Sequence, residues 1–146
     1  MEKKKLSKEE RLKVYRMFDG RCAYCGKQIA FKDMQVDHIV PLPLGGADDE
    51  SNWYPACRMC NHYKSKLTLE KFRHELSKLP EMLENVHIYR LARMYGLIMI
   101  SSRYVRFYFE KEALLKEWDE HKDPTINYRF KDGKVVAESW SPNERD

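Results

Sequence analysis

Hydrophobic positions change their period several times along the chain, and each change marks an element. Ser7 followed by Glu10 forms a capping box, and Leu12, Tyr15 and Phe18 come at helical spacing. A helix is therefore predicted from Ser7 to about Phe18, with Gly20 just beyond its end. Cys22-Ala-Tyr-Cys25-Gly26 reads as a tight knuckle whose glycine permits the turn. Phe31 to Val40 reads as a strand stopped by Pro41, and Leu42 to Ser51, with Pro43, Gly45-Gly46 and three acids, as a loop. Trp53-Tyr54 opens a short return strand into a second knuckle, Cys57 to Cys60, followed by a short helix to about Leu67.

Beyond residue 67 the pattern becomes mainly helical. Thr68 can cap a helix that puts Leu69, Phe72, Leu76 and Leu79 on one face before Pro80. A second helix is predicted from about Glu81 to Tyr95, ended by Gly96. Leu97–Ile100 and Tyr104–Phe109 read as a hairpin, since Val105, Phe107 and Phe109 alternate. Arg103 and Arg106 interleave with its aromatics, which suits either a packed amphipathic hairpin or a surface on which bases stack. Glu112 to His121 reads as helix, and the remainder as a hairpin at Asp132-Gly133 or a loose acidic tail. His74, His87 and His121 have no partner at ligand spacing and read as surface residues.

Composition adds a few bounds. With 146 residues, 42% of them hydrophobic and 34% charged, the chain suits one compact domain, or a compact unit with a second appended. The longest apolar run, Leu97–Ile100, is far too short for a bilayer, and the charged opening MEKKKLSKEE leads into no apolar stretch. The expectation is a cytoplasmic protein with no membrane contact, whose paired cysteines are reduced and available to a metal. The net charge of +4 is unevenly spread: residues 1–47 carry ten Lys/Arg against six Asp/Glu, and residues 110–146 carry seven against ten. The basic half coincides with the knuckles and suits a polyanionic partner, although Lys3-Lys4-Lys5 suits a solvated tail equally well.

The four cysteines are the strongest chemical signal. A C-x2-C knuckle supplies two thiolates from one turn, so Cys22, Cys25, Cys57 and Cys60 would complete a tetrahedral structural zinc site. Such a site can contribute roughly 10 kcal/mol or more to the folding of a small module. Zinc would thereby stabilise the strand-loop-strand between the knuckles and bring Asp37, His38 and Asn61 together.

The segments CAYCG (22–26), VDHIVPLPLGG (36–46), Asn52 and CRMCNHYKSK (57–66) resemble the zinc-knuckle HNH endonucleases. The match covers about 45 residues, and the segment from Leu69 to Lys111 resembles, more weakly, the tails of phage-type members. The resemblance implies an α+β fold: a ββα-metal core clamped by a four-cysteine structural zinc, with an N-terminal helix and a C-terminal helical and hairpin extension. It divides the chain into a nuclease core over residues 1–67 and an extension over residues 68–146. It also implies DNA phosphodiester hydrolysis, with His38 as the general base. Asp37 and Asn61 would be oxygen ligands of a catalytic Mg²⁺ or Mn²⁺, Asn61 being thereby part of the catalytic set, and His62 is the alternative ligand. Asn52 would brace the loop behind His38, and Lys64 and Lys66 would contact nucleic acid. The signature here is H-N-N, with Asn61 where other members carry histidine.

A second reading keeps the zinc fold without catalysis, as a nucleic-acid- or protein-binding module. Charge alone does not separate DNA from RNA, and the pattern leaves room for a homodimer or for a phage or host protein partner.

Overall fold

The computed structural model describes residues 4–100, 104–121, 127–131 and 134–138, with side-chain surroundings given for 4–100 and 104–117. The fold is α+β, built from short helices and two separate two-stranded antiparallel sheets. The chain divides into two compact units, residues 1–111 and 112–146.

In the first unit, α1 (Lys8–Arg16) begins at the expected capping box: Glu10 N–H donates to Ser7 Oγ at 3.1 Å, and Ser7 N–H to Glu10 Oε2 at 2.8 Å. Local hydrogen bonding alone sets this end, which is why four residues suffice to recognise it. The strand expected from Phe31 to Val40 is shorter. A 3-10 turn takes Phe31–Asp33, and β1 covers only Gln35–His38. β1 pairs antiparallel with β2 (Trp53–Ala56), which sets Asp37 opposite Tyr54 and His38 opposite Trp53. α2 (Arg58–Lys64) follows directly, capped by Cys57, and together the three elements form a ββα unit.

Three more helices complete this part: α3 (Leu69–Ser77), capped by Thr68, then α4 (Leu79–Leu83) and α5 (His87–Met94). The single helix expected over 81–95 is thus two, and Pro80 lies in the first turn of α4, where its missing N–H costs nothing. The hairpin expected over Leu97–Phe109 does not form, since no strand covers Leu97–Ile100 or Tyr104–Phe107. Instead an extended segment leads into α6 (Tyr108–His121), with Phe107 buried against Tyr24 and Phe72. The backbone of the first knuckle receives it: Tyr108 N–H donates to Tyr24 O and Phe109 N–H to Ala23 O, both at 2.9 Å. Arg73 closes the segment from the other side, donating to Val105 O and pairing through both terminal nitrogens with Glu110. Burial of the aromatic face and satisfaction of backbone by the knuckle replace the strand pairing that alternation suggested.

In the second unit, β3 (Asn127–Lys131) pairs with β4 (Lys134–Glu138), Lys131 standing opposite Lys134. These strands flank the turn expected at Asp132-Gly133, which itself lies outside the described residues.

The core of the first unit is aromatic. Tyr24 packs edge-on to Phe72 (5.6 Å between ring centres) and to Phe107 (5.5 Å), and Phe72 stacks on Phe107 at 5.3 Å. A residue of the first cysteine knuckle thus lies at the middle of the hydrophobic core.

Candidate metal cage and active site

The two knuckles meet as their spacing implies. The ligand sulfurs of Cys22, Cys25, Cys57 and Cys60 all lie within 4.8 Å of one another, with Cys25 and Cys57 Sγ 3.9 Å apart. Cys57 also caps α2, accepting from Cys60 N–H at 3.4 Å. As thiols the sulfurs perturb one another. Cys22 is drawn down to about 5, chiefly by its hydrogen bond with Cys60, whose own thiol that bond pushes up, while burial raises Cys25. Four clustered thiolates are stable together only around a cation. The donor set therefore fits a metal such as zinc.

The second group of polar residues gathers where β1, β2, α2 and the loop after β1 converge. Asp37 is buried, and its Oδ2 accepts from Tyr24 Oη at 2.5 Å and from Lys64 Nζ at 2.8 Å. Burial and then the neighbouring Asp37 charge push the Tyr24 phenol far up, so it stays a neutral donor. Lys64 has no exposed surface at all, and its ammonium also donates to His38 O at 2.8 Å. The lysine expected at a phosphate is enclosed instead, since a neighbouring carboxylate and a strand carbonyl satisfy its donors in place of solvent. Lys66 is exposed.

α2 faces β1 through Lys64. Asn61 lies three residues before Lys64 and so shares that face, whereas His62 is rotated by about 100° and is exposed. Among the described residues, the Asn61 amide makes no side-chain hydrogen bond. An amide carbonyl on the strand-facing side of α2 and a carboxylate on β1 are hard oxygen donors of the kind a small divalent cation takes. A carboxylate offers about four acceptor sites, and both protein partners named above use Oδ2 of Asp37. By donor type the two residues therefore suit such a cation.

His38 is buried at the end of β1. Its Nε2 lies 2.7 Å from Asp48 Oδ1, and Trp53 Nε1 lies 3.3 Å from both of those atoms. Asp48 Oδ2 in turn accepts from the backbone N–H of Lys4 at 2.9 Å. The His38 bond, and then the Lys4 N–H, hold the Asp48 carboxyl below the usual carboxylate range.

Asn52 shapes the loop that carries Asp48. Its Oδ1 accepts from Val40 N–H, and its Nδ2 donates to Val40 O and Ala47 O, each at 2.8 Å. These bonds draw both ends of the loop together immediately after His38. Gly46 makes the approach feasible, because a Cβ there would lie 1.9 Å from Val40 O.

The structure therefore gathers Asp37, His38, Asn52 and Lys64 around one corner, puts Asn61 on the face of α2 that carries Lys64, and leaves His62 and Lys66 at the surface. It adds Tyr24, Asp48, Trp53 and the Lys4 backbone, none of which the sequence reading assigned to the site. The one local signal for Asp48 is an acid two residues after the Gly45-Gly46 turn that returns the loop toward His38.

Residues 22–77 match the family model described as HNH endonuclease, so the resemblance carried by the motifs holds across that stretch. A segment of 45 residues is 40% identical to the CRISPR-associated endonuclease Cas9 of Corynebacterium diphtheriae, covering 30% of this chain and 4% of that protein. The crystal structure of the Type II-C Cas9 enzyme from Actinomyces naeslundii is similar at 27% identity, over 51% of this chain and 9% of that one, with a TM-score of 0.44. The chain thus spans less than a tenth of either relative. Among the described residues, no helix is long and apolar enough to cross a membrane.

Proposed function

We propose that this chain is a metal-dependent endonuclease of the HNH type that hydrolyses DNA phosphodiester bonds. The supporting observation is the corner itself: an imidazole oriented by a carboxylate, beside an aspartate on β1 and an asparagine on the facing side of α2.

His38 takes a proton from a water as the oxygen of that water bonds to phosphorus. The bond from phosphorus to the 3′ oxygen breaks, and the leaving oxygen acquires a proton from solvent, giving 5′-phosphate and 3′-hydroxyl ends. Asp37 and Asn61 hold a Mg²⁺ or Mn²⁺ ion, which when bound supplies Lewis acidity toward the phosphate and the leaving oxygen. Tyr24 and Lys64 fix the Asp37 carboxylate from behind. The cage of Cys22, Cys25, Cys57 and Cys60 holds zinc as scaffold and takes no part in the chemistry. Lys66, exposed just beyond α2, contacts the phosphate backbone.

The test is incubation of supercoiled plasmid, and of matched DNA and RNA oligonucleotides, with Mg²⁺, Mn²⁺ or EDTA, beside His38→Ala. Metal-dependent DNA cleavage that is lost in the variant supports the reading. A variant that cuts at the wild-type rate removes His38 as base. Intact zinc and DNA binding without cleavage in any metal favours the binding-module reading instead.

A further inference from the structure

The histidine and the loop acid at the corner are more than neighbours, because their contact decides which ring nitrogen can accept a proton. Asp48 Oδ1 lies 2.7 Å from His38 Nε2, and an ionised carboxylate only accepts hydrogen bonds. Nε2 must therefore carry a hydrogen. In a neutral imidazole one nitrogen donates and the other accepts, so Nδ1 is left with the lone pair. The alternative tautomer would set the Nε2 lone pair against the carboxylate.

Trp53 strengthens this assignment. Its indole N–H is a donor only, and it lies 3.3 Å from both Asp48 Oδ1 and His38 Nε2. With Nε2 already protonated, the indole hydrogen belongs to Asp48 Oδ1, which then accepts from both rings. The second carboxylate oxygen is held by the Lys4 N–H at 2.9 Å. Asp48 is thus fixed through both oxygens by groups from three parts of the chain: the residues before α1, the end of β1 and the start of β2.

We propose that Asp48 is the positioning residue of this site: it holds His38 in the Nε2–H tautomer, so that Nδ1 is the atom that receives the proton from water. When Nδ1 takes that proton the ring becomes an imidazolium, and its new charge lies directly beside the Asp48 carboxylate. Asp48 itself neither takes the proton nor touches substrate. The inference rests on the nuclease reading for its kinetic consequence but not for the tautomer, which is a property of the uncleaving protein.

The experiment has two arms. In the first, a long-range ¹H–¹⁵N spectrum of the zinc-loaded full chain is recorded at pH 8 without added Mg²⁺ or Mn²⁺, with His38→Gln used to assign the ring. Wild type shows Nε2 protonated and Nδ1 bare, and Asp48→Ala shows a mixture of tautomers. In the second arm, nicking of a DNA duplex in Mn²⁺ is measured under single-turnover conditions. Asp48→Ala slows the step roughly 10- to 100-fold while the half-saturating DNA concentration changes by less than about threefold. Asp48→Asn keeps an acceptor oxygen for the two ring N–H groups, and retains both the tautomer and at least about half of the rate.

A wild-type ring protonated at Nδ1 overturns the proposal whatever the variants do. So does an Asp48→Ala protein with an unchanged tautomer and rate, or an Asp48→Asn protein as slow as Asp48→Ala. If the wild type cuts no nucleic acid, the nuclease reading fails, and the spectra still decide whether Asp48 sets the tautomer.

Discussion

Lys64 and Asp37 form a buried ion pair, 2.8 Å from Nζ to Oδ2, between the last residue of α2 and the third residue of β1. The pair ties helix to strand at the point where an oxygen-ligated cation is proposed to sit. It also withdraws from solvent the charge that the sequence suggests for nucleic acid.

The enclosed charge makes Lys64 a stability determinant. Lys64→Ala would leave Asp37 buried with Tyr24 as its remaining named partner, at a cost of about 3–5 kcal/mol. Urea unfolding of the zinc-loaded protein reads this directly. Wild-type stability combined with weakened DNA binding would instead return Lys64 to the phosphate.

Lys66 should behave in the opposite way. Lys66→Ala is expected to leave the unfolding midpoint unchanged and to reduce the slope of log affinity against log salt by about 0.9, one phosphate contact. Binding to a duplex, followed from about 50 to about 200 mM salt, tests it. An unchanged slope would remove Lys66 from the interface.

The cage predicts one zinc ion per chain, released by Cys57→Ser, by chelators or by acid. The sign for acid follows from the ligands, which bind as thiolates, so falling pH places protons in competition with the metal. Metal analysis alongside thermal melting should show zinc content and melting temperature falling together. A Cys57→Ser protein with wild-type metal content and melting temperature would contradict the cage.

Asn52→Ala removes three loop hydrogen bonds and is expected to cost about 2–3 kcal/mol. It should also slow cleavage, because the loop it closes carries Asp48. Gly46→Ala should resemble it, since the added Cβ meets backbone that cannot yield without opening the same loop. Either variant with wild-type stability and rate would show that the loop does not need the brace.

A fragment ending at residue 67 lacks Phe72, Arg73 and Phe107, which close the core around Tyr24. It is expected to bind zinc yet to melt without a cooperative transition, whereas residues 1–111 should unfold cooperatively. Calorimetry of the two fragments compares them, and a cooperative 1–67 would make the later helices an appendage.

What could be read in the sequence shares one property: it is local. The Ser7–Glu10 box closes within four residues, and the knuckles declare themselves by the spacing of Cys22 to Cys25 and Cys57 to Cys60. The ββα order followed from short runs bounded by turn residues. What was missed is long-range. Tyr24 reaches Asp37 across 13 positions, and Lys4 reaches Asp48 across 44, with no periodicity to announce either contact. The hairpin over 97–109 failed for a related reason. Alternation at Val105, Phe107 and Phe109 reports that one side is buried, but not whether a strand or an aromatic cluster does the burying.

The Lys4 contact has a practical meaning for anyone handling this protein. The same residue that lends its amide to Asp48 spreads its ammonium over the Trp53 ring at 5.6 Å and pairs with Glu10. An affinity tag added before Met1 is joined three residues from the amide that holds the carboxylate proposed to orient the histidine. A purification handle placed at that end would be a perturbation of the site, and a comparison of amino- and carboxyl-tagged preparations becomes a control on every rate measured.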